Sequence, residues 1–397
     1  MNGQEYNAPA SVNRAQRLAF LIGGVALILA IVGAVTSPAK FYESYLFGYL
    51  LVLGLTLGSL GLLMLQHVTS GIWGIVIRRP LEAATRTIWL VLLMFVPIVL
   101  GMKIFYGEWL DPAQVKAHPL SDLQARYLTQ SGFLVRAVVY FAIWIILVLL
   151  FNAWSKAQDS NPNDLGVRKR FRMTGPPGII LYVLSMTFAA IDWVMSISPH
   201  WASTIYGFIF VGGQLISAMA LMIITVVALA KSEPHSGFIR ERHLHDLGKL
   251  LFAFNMLWAY FAFSQLLIIW SGNQPEEISY YRSRLNGEWG VVAVIVLVFS
   301  FGLPFLILLS RDVKRNPRLI AAVAAWMLLF RLVDLYWMTR PEFSASAWPN
   351  WRDIVVPVAL IGLWVGVFAT NLKQRPVLPL GDPKLSEVLA HHEHRRS

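Results

Sequence analysis

Cysteine is absent from all 397 residues. The chain can therefore form no disulfide, hold no cysteine-ligated iron–sulfur cluster and carry no covalently attached c-type haem. Charge is scarce too. Asp, Glu, Lys and Arg make up 14% of the sequence, against about 25% in an ordinary soluble domain, too little to coat a soluble surface. No G-x-x-x-x-G-K-[ST] loop occurs, which sets aside a P-loop ATPase.

What is present is apolar. Hydrophobic residues form 56% of the chain, gathered in blocks of about 18 to 25 residues, the length that crosses roughly 30 Å of hydrocarbon as a helix. Fifteen tryptophans and thirteen tyrosines suit two interfacial belts. The blocks predict spans near 18–36, 45–66, 85–105, 132–153 and 177–196, then 203–230, 247–271, 288–309, 318–339 and 354–371. Most are bounded by Pro, Gly or charge runs such as Arg78-Arg79-Pro80 and Arg168-Lys169-Arg170. The expected fold is an all-α integral membrane protein with a ten-helix domain over 18–371. Residues 1–17 form a polar lead-in with Arg14 and Arg17 rather than a cleaved signal, and residues 372–397 form a tail.

Basic residues give a direction. With the N-terminus inside, the inside segments and adjoining helix ends hold 23 Lys and Arg and the outside ones hold 8, with Arg136 and Arg331 inside spans. That asymmetry follows the positive-inside rule, so both termini are expected in the cytoplasm. The net charge of +11 is then topological and not a nucleic-acid footprint.

A repeat is suggested at an offset of 159. Ser44 to Met64 aligns with Ser203 to Ile223 through Ser44/Ser203, Gly48/Gly207, Val52/Val211, Gly54/Gly213 and Leu62/Leu221. A unit of four helices gives copies running in the same direction, related by an axis along the membrane normal. The halves, about 45–196 and 203–339, would form two four-helix bundles with the first and last spans peripheral. Gly54, Gly58, Gly213 and Ser217 would let helices approach closely.

Polar groups in hydrocarbon are costly, so each is a functional candidate beside a structural alternative. Asp192 and His200 lie eight residues apart where span five turns into span six, with Trp201 adjacent. The pair suits proton relay or a hydrogen bond to a quinone carbonyl; the alternative is a capped turn with an interfacial Trp anchor. Arg331 and Asp334 share one face of span nine, as a proton-carrying carboxylate or a structural ion pair. Span seven places Lys249, Met256, Tyr260 and Ser264 near one face, with Asn255 and Gln265 close by, enough to hold a water chain or simply to bond neighbouring helices. At the inner side His67 ends span two, and Glu82 and Arg86 stand at i,i+4, the spacing of an intrahelical salt bridge. Of nine histidines only His67 and His200 approach the membrane, on opposite faces, so two axial ligands for a b-type haem are not available within the bilayer.

Three stretches carry a family resemblance. They are Asp192 to Trp201 with Ser203-Thr204-Ile205-Tyr206-Gly207, Leu257 to Gln265 followed by Gly272-Asn273-Gln274-Pro275-Glu276-Glu277, and Arg331 to Pro341. On these, over about residues 15–372, the chain resembles the NrfD/polysulfide-reductase-type membrane subunits, specifically those of alternative complex III. The resemblance implies a bacterial inner-membrane quinol:electron-acceptor oxidoreductase containing two ten-helix subunits beside multihaem and iron–sulfur subunits. This chain looks like the smaller ten-helix paralogue, which supports assembly and offers a proton path, while the larger one places quinol (menaquinol among the alternatives) beside the iron–sulfur subunit. The expected half-paths are Asp192, His200, Asp334 and Gln265 outside and His67, Glu82 and Lys249 inside. Lipids are expected neighbours. On residue physics alone, a free-standing secondary transporter is the alternative.

Overall fold

The computed structural model describes residues 6–162, 164–232 and 238–385. The histidines of the C-terminal tail lie outside them, as does His235. Among the described residues, ten helices are long and apolar enough to cross a membrane: α1 Ala10–Thr36, α2 Pro38–Thr69, α3 Arg78–Leu100, α4 Gln130–Ser160, α5 Leu165–Ile197, α6 Tyr206–Leu229, α7 Glu241–Gly272, α8 Gly287–Leu309, α9 Pro317–Glu342 and α10 Arg352–Leu372. No strand occurs among the described residues. The protein is an all-α integral membrane protein, since in hydrocarbon a helix satisfies its backbone groups within its own segment.

Local sequence sets the helix ends. Pro38 and Pro317 stand in the first turns of α2 and α9, where a missing N–H costs nothing. Side chains of Thr129, Asp164 and Asn316 cap α4, α5 and α9 by accepting from backbone N–H groups. In α8 the segment Leu297–Gly302 widens into a π-helical turn just before Pro304. Pro304 has no N–H to donate and its ring crowds the Ser300 carbonyl, so the wider turn relieves the clash.

The helices form two closed rings. In the first, α2 packs on α3, α3 on α4, α4 on α5 and α5 back on α2; α6 to α9 close in the same way. The rings meet where α2 lies along α6, and α10 joins α1 at one side while touching α2. Burial follows from that placement. Every residue in the most apolar window of α2 is buried and 78% of that of α6, against 17% for α8.

Gly58 makes the closest part of the central seam. A Cβ there would overlap the backbone carbonyl of Gln214 and lie 3.0 Å from the Cβ of Ala218. Gly213, the repeat counterpart of Gly54, has a different use: a Cβ at that position would overlap the Arg331 guanidinium.

Both ends of the described chain reach one membrane face, where the Val377 N–H donates to the Tyr6 carbonyl at 2.8 Å. We call this the terminal face. The opposite face carries short helices between α3 and α4 and the amphipathic helix Pro275–Leu285.

Candidate functional site

Two carboxylates occupy matching places. Asp192 precedes Pro199 by seven residues near the end of α5, and Asp334 precedes Pro341 by seven near the end of α9. Each closes the fourth helix of its bundle, and each is buried beside an arginine. Their surroundings differ.

Asp192 is saturated. Arg136 of α4 reaches it with Nε at 2.8 Å and Nη2 at 2.9 Å, and the Tyr140 hydroxyl donates to Oδ2 at 2.7 Å. Arg136 also lies over the Tyr127 ring, 3.9 Å from its centroid. Burial and the nearby Asp192 charge push the Tyr127 phenol up to about 12, so it stays protonated at neutral pH. Around the next residue, Trp193, the rings of Tyr49, Phe95, Tyr140, Phe141 and Trp144 form a packed cage. Sequence reasoning noted Arg136 only as a charge inside a span. A lone Arg in hydrocarbon demands a partner, and Tyr140 at i+4 marks the face on which to seek one.

His200 does not join Asp192. It is exposed on the face opposite the termini, with its ring 6.4 Å from that of His118, and makes no hydrogen bond or ion pair with Asp192. Trp201 is buried and stacks on Tyr280 at 3.9 Å, with Nε1 donating to the Glu277 carbonyl at 3.1 Å. The three residues expected to hold a quinone thus have separate partners: Arg136 and Tyr140 for Asp192, the His118 ring for His200, and Tyr280 for Trp201.

Asp334 is less crowded. Its Oδ2 pairs with Nη1 of Arg331, both groups buried. Beside them Ile216, Trp258, Ser300, Met327, Arg331 and Asp334 line a small cavity. It offers ≈ 10 Å³ to the centre of a water-sized sphere, room for about one water. The Trp258 Nε1–H is buried without a partner. The π-helical turn supplies the far wall. Its Phe301 carbonyl accepts from Asn255 Nδ2 at 3.5 Å and its Phe299 carbonyl from Trp326 Nε1 at 3.0 Å, while Ser300 Oγ donates to the Phe330 carbonyl at 3.3 Å. The Asn255 Oδ1 atom is left unpaired. An orphaned donor, the Trp258 N–H, beside a carboxylate at a cavity is the setting in which an internal water is retained.

The water chain expected along α7 is corrected. Tyr260 is 64% exposed and Met256 is exposed, so that face of α7 looks outward and not into its bundle. Ser264 is half-buried on the flank. Lys249 is exposed and forms an i−3 pair with Asp246 at 3.3 Å. The inward face is the one carrying Asn255, Trp258 and Gln265. Gln265 accepts from Ser203 Oγ at 2.8 Å and donates to the Tyr281 hydroxyl at 3.0 Å, tying α7 to the opposite-face helix. Amides carry more hydrogen-bonding groups than a hydroxyl, which can return to its own helix, so the amides take the interior.

At the terminal face a second expectation changes. The Glu82 carboxylate forms no salt bridge with Arg86, whose Nε reaches only the Glu82 backbone carbonyl at 3.3 Å. The carboxylate accepts from Arg78 Nε at 3.1 Å, Arg79 Nη1 at 2.6 Å and Ser155 Oγ at 2.6 Å, with Arg375 at 3.4 Å. Arg79 also grips Asp159, and Arg78 reaches Asp382 at 2.8 Å. Arg86 turns instead to the Asn371 carbonyl at 2.7 Å and Gln374 Oε1 at 2.6 Å. Residues after α10 thus fold back over the first bundle and supply Arg375 and Asp382. Neighbouring His67 is buried, stacks flat on Phe171 at 3.8 Å, and leaves Nε2 without a partner. Lys249 belongs to the other bundle, so His67, Glu82 and Lys249 form no single mouth.

The opposite face holds a loose titratable group. Burial and the nearby Glu342 charge raise the Glu108 carboxyl, while His200 and His118 pull it down. Glu342 itself pairs with the buried Arg284 at 2.6 Å, whose guanidinium sits 3.5 Å from the Tyr280 ring centroid. No group of three or more His, Cys, Asp or Glu suited to a metal ion is found among the described residues. No family model matches the chain, and no curated protein matches it.

Proposed function

We propose that the chain is a membrane subunit of a bacterial respiratory quinol:electron-acceptor oxidoreductase of the alternative complex III type, and that its own contribution is assembly and proton transfer at Asp334. Electrons belong to haem and iron–sulfur partners, and quinol oxidation to the larger ten-helix paralogue. The terminal face is the cytoplasmic side in this reading, following the distribution of Lys and Arg.

The observation that carries it is the contrast between the two carboxylates. Asp192 has both oxygens engaged by Arg136 and Tyr140, the arrangement of a fixed ion pair. Asp334 has one arginine and a cavity bordered by Ser300 and Trp258. A carboxylate that exchanges protons needs an adjacent acceptor site for water, and the second bundle has one. The resemblance of Arg331 to Pro341 to the family supports the same position.

Two measurements test the proposal in sequence. Purification in mild detergent should bring the chain down with a haem-absorbing assembly; a colourless lone species would favour a secondary transporter and end the oxidoreductase reading. In the reconstituted complex, Asp334→Asn should lower proton release per quinol oxidised, whereas Asp192→Asn should act on stability alone. Unchanged proton release in Asp334→Asn would sink the proton-transfer role.

A further inference from the structure

Four arginines crowd the terminal face of the first bundle, and their charges are not evenly matched. Arg78 and Arg79 are enclosed by three carboxylates, those of Glu82, Asp159 and Asp382. Four guanidinium groups against three carboxylates leave one positive charge in surplus, and it falls on the Arg86 and Arg375 side of the cluster, where Arg375 only touches the already occupied Glu82. Arg86 and Arg375 lie close enough to repel one another. Arg375 has only weak contacts, at 3.4 Å to Glu82 and to the Asn152 carbonyl. Arg86 gives its Nε to the Glu82 carbonyl at 3.3 Å and one N–H from each terminal nitrogen to Gln374 and Asn371. A guanidinium has five N–H donors, so two on Arg86 and two on Arg375 remain to be satisfied, and the three that Arg375 does use are long.

The same edge continues into hydrocarbon. From half-buried Arg86, the positions Trp89, Leu93, Val96 and Leu100 recur at three- and four-residue steps along α3, and all four are exposed. They make one apolar stripe running from the guanidinium pair across the membrane. Trp89, one turn beyond Arg86, stands where an interfacial ring meets the headgroup level. Two like charges with spare donors, joined to an outward apolar stripe, match a molecule that is anionic at one end and apolar along its length.

We infer that Arg86 and Arg375 form a binding site for the phosphodiester headgroup of an anionic phospholipid in the terminal-face leaflet, whose acyl chain lies along Trp89, Leu93 and Val96. Guanidinium forks suit phosphate oxygens, and a bound phosphate removes the repulsion between the two arginines. Because Arg86 is tied to Asn371 in the last turn of α10 and to Gln374 just beyond it, the lipid also fastens α10 and the segment after it to the first bundle.

The test uses the full chain in mild detergent and native mass spectrometry with added phosphatidylglycerol or phosphatidylcholine. Wild type should retain phosphatidylglycerol preferentially. One surface-membrane arginine contributes about fivefold in affinity, so Arg86→Gln with Arg375→Gln should lose roughly twenty-fivefold. Lys249→Gln, which removes an exposed charge elsewhere, should retain the lipid as wild type does. Should the double variant fail to fold, thermal unfolding of wild type decides: phosphatidylglycerol should stabilise it and phosphatidylcholine should not. Equal retention by wild type and double variant overturns the site. Stabilisation by inorganic phosphate equal to that by phosphatidylglycerol overturns the lipid assignment and leaves a free-phosphate site.

Discussion

Arg136 holds Asp192 with two parallel bonds, Nε to Oδ2 at 2.8 Å and Nη2 to Oδ1 at 2.9 Å, linking α4 to α5 across the first bundle. The bidentate fork and the added Tyr140 bond fix its geometry. Removing one member leaves the other charge buried or half-buried without compensation. Arg136→Leu should therefore destabilise the protein by about 3 kcal/mol. The double variant Arg136→Leu/Asp192→Leu should recover much of that loss, because no lone charge remains. Free energies of unfolding in mixed detergent micelles would check both values; a double variant worse than the single one contradicts the pairing.

The central seam predicts a second effect. A Cβ on Gly58 meets the Gln214 carbonyl and the Ala218 side chain, and the first of these is backbone that cannot rotate away. Gly58→Val should force α2 from α6 and cost about 2 kcal/mol. Gly24 has nothing within 4 Å of a Cβ, so Gly24→Val should shift stability by less than about 0.5 kcal/mol. Parallel thermal unfolding of the two variants separates packing at the seam from a general intolerance of valine.

The ten spans were legible because charge is so sparse: a block of about 20 apolar residues has few alternatives to a membrane helix. Which face of a span looks inward was harder. On α7, Tyr260 and Ser264 suggested a polar interior, yet helical spacing says only that residues share a face, not where it points. The amides of Asn255 and Gln265 were the better guide, since more of their groups need partners. Glu82 shows a related ambiguity, with arginines at both i−4 and i+4. The inward one, Arg78, was chosen by Asp382 and Ser155, which arrive from elsewhere in the chain. Asp192 was found, but its partner Arg136 lies 56 residues away and on another helix. Only the fold joins them.

Outside the spans, Glu108 predicts a pH effect whose sign can be worked out. Burial and Glu342 raise its pKa above the ordinary 4.5. A folded state that holds the proton more tightly than the unfolded state gains stability as pH falls through the window above 4.5, and loses it as pH rises. At neutral pH the ionised carboxylate is therefore unfavourable where it sits. Glu108→Gln should raise the apparent melting temperature at pH 7, and the difference from wild type should shrink as pH falls towards 4.5. A gap that persists unchanged at acid pH would show that charge is not its source.

The last prediction couples two sites on different helices. The Arg331 guanidinium lies against Gly213, in space that a Cβ would fill, while pairing with Asp334 on its own helix. Gly213→Ala must push the guanidinium aside and weaken its hold on Asp334, leaving two buried charges poorly matched. The expected cost is about 3 kcal/mol. Once Asp334→Asn has already removed the counter-charge, Gly213→Ala has no ion pair left to break and should cost less. The cycle should show a coupling of about 1–2 kcal/mol, within the range found for residues sharing one network. Unfolding free energies of the two single variants and the double variant provide it. Additive effects would mean that Gly213 serves helix packing and not the position of Arg331. Because the cavity beside Asp334 is bounded by that same guanidinium, Gly213→Ala should also change proton release in the reconstituted complex in the direction of Asp334→Asn.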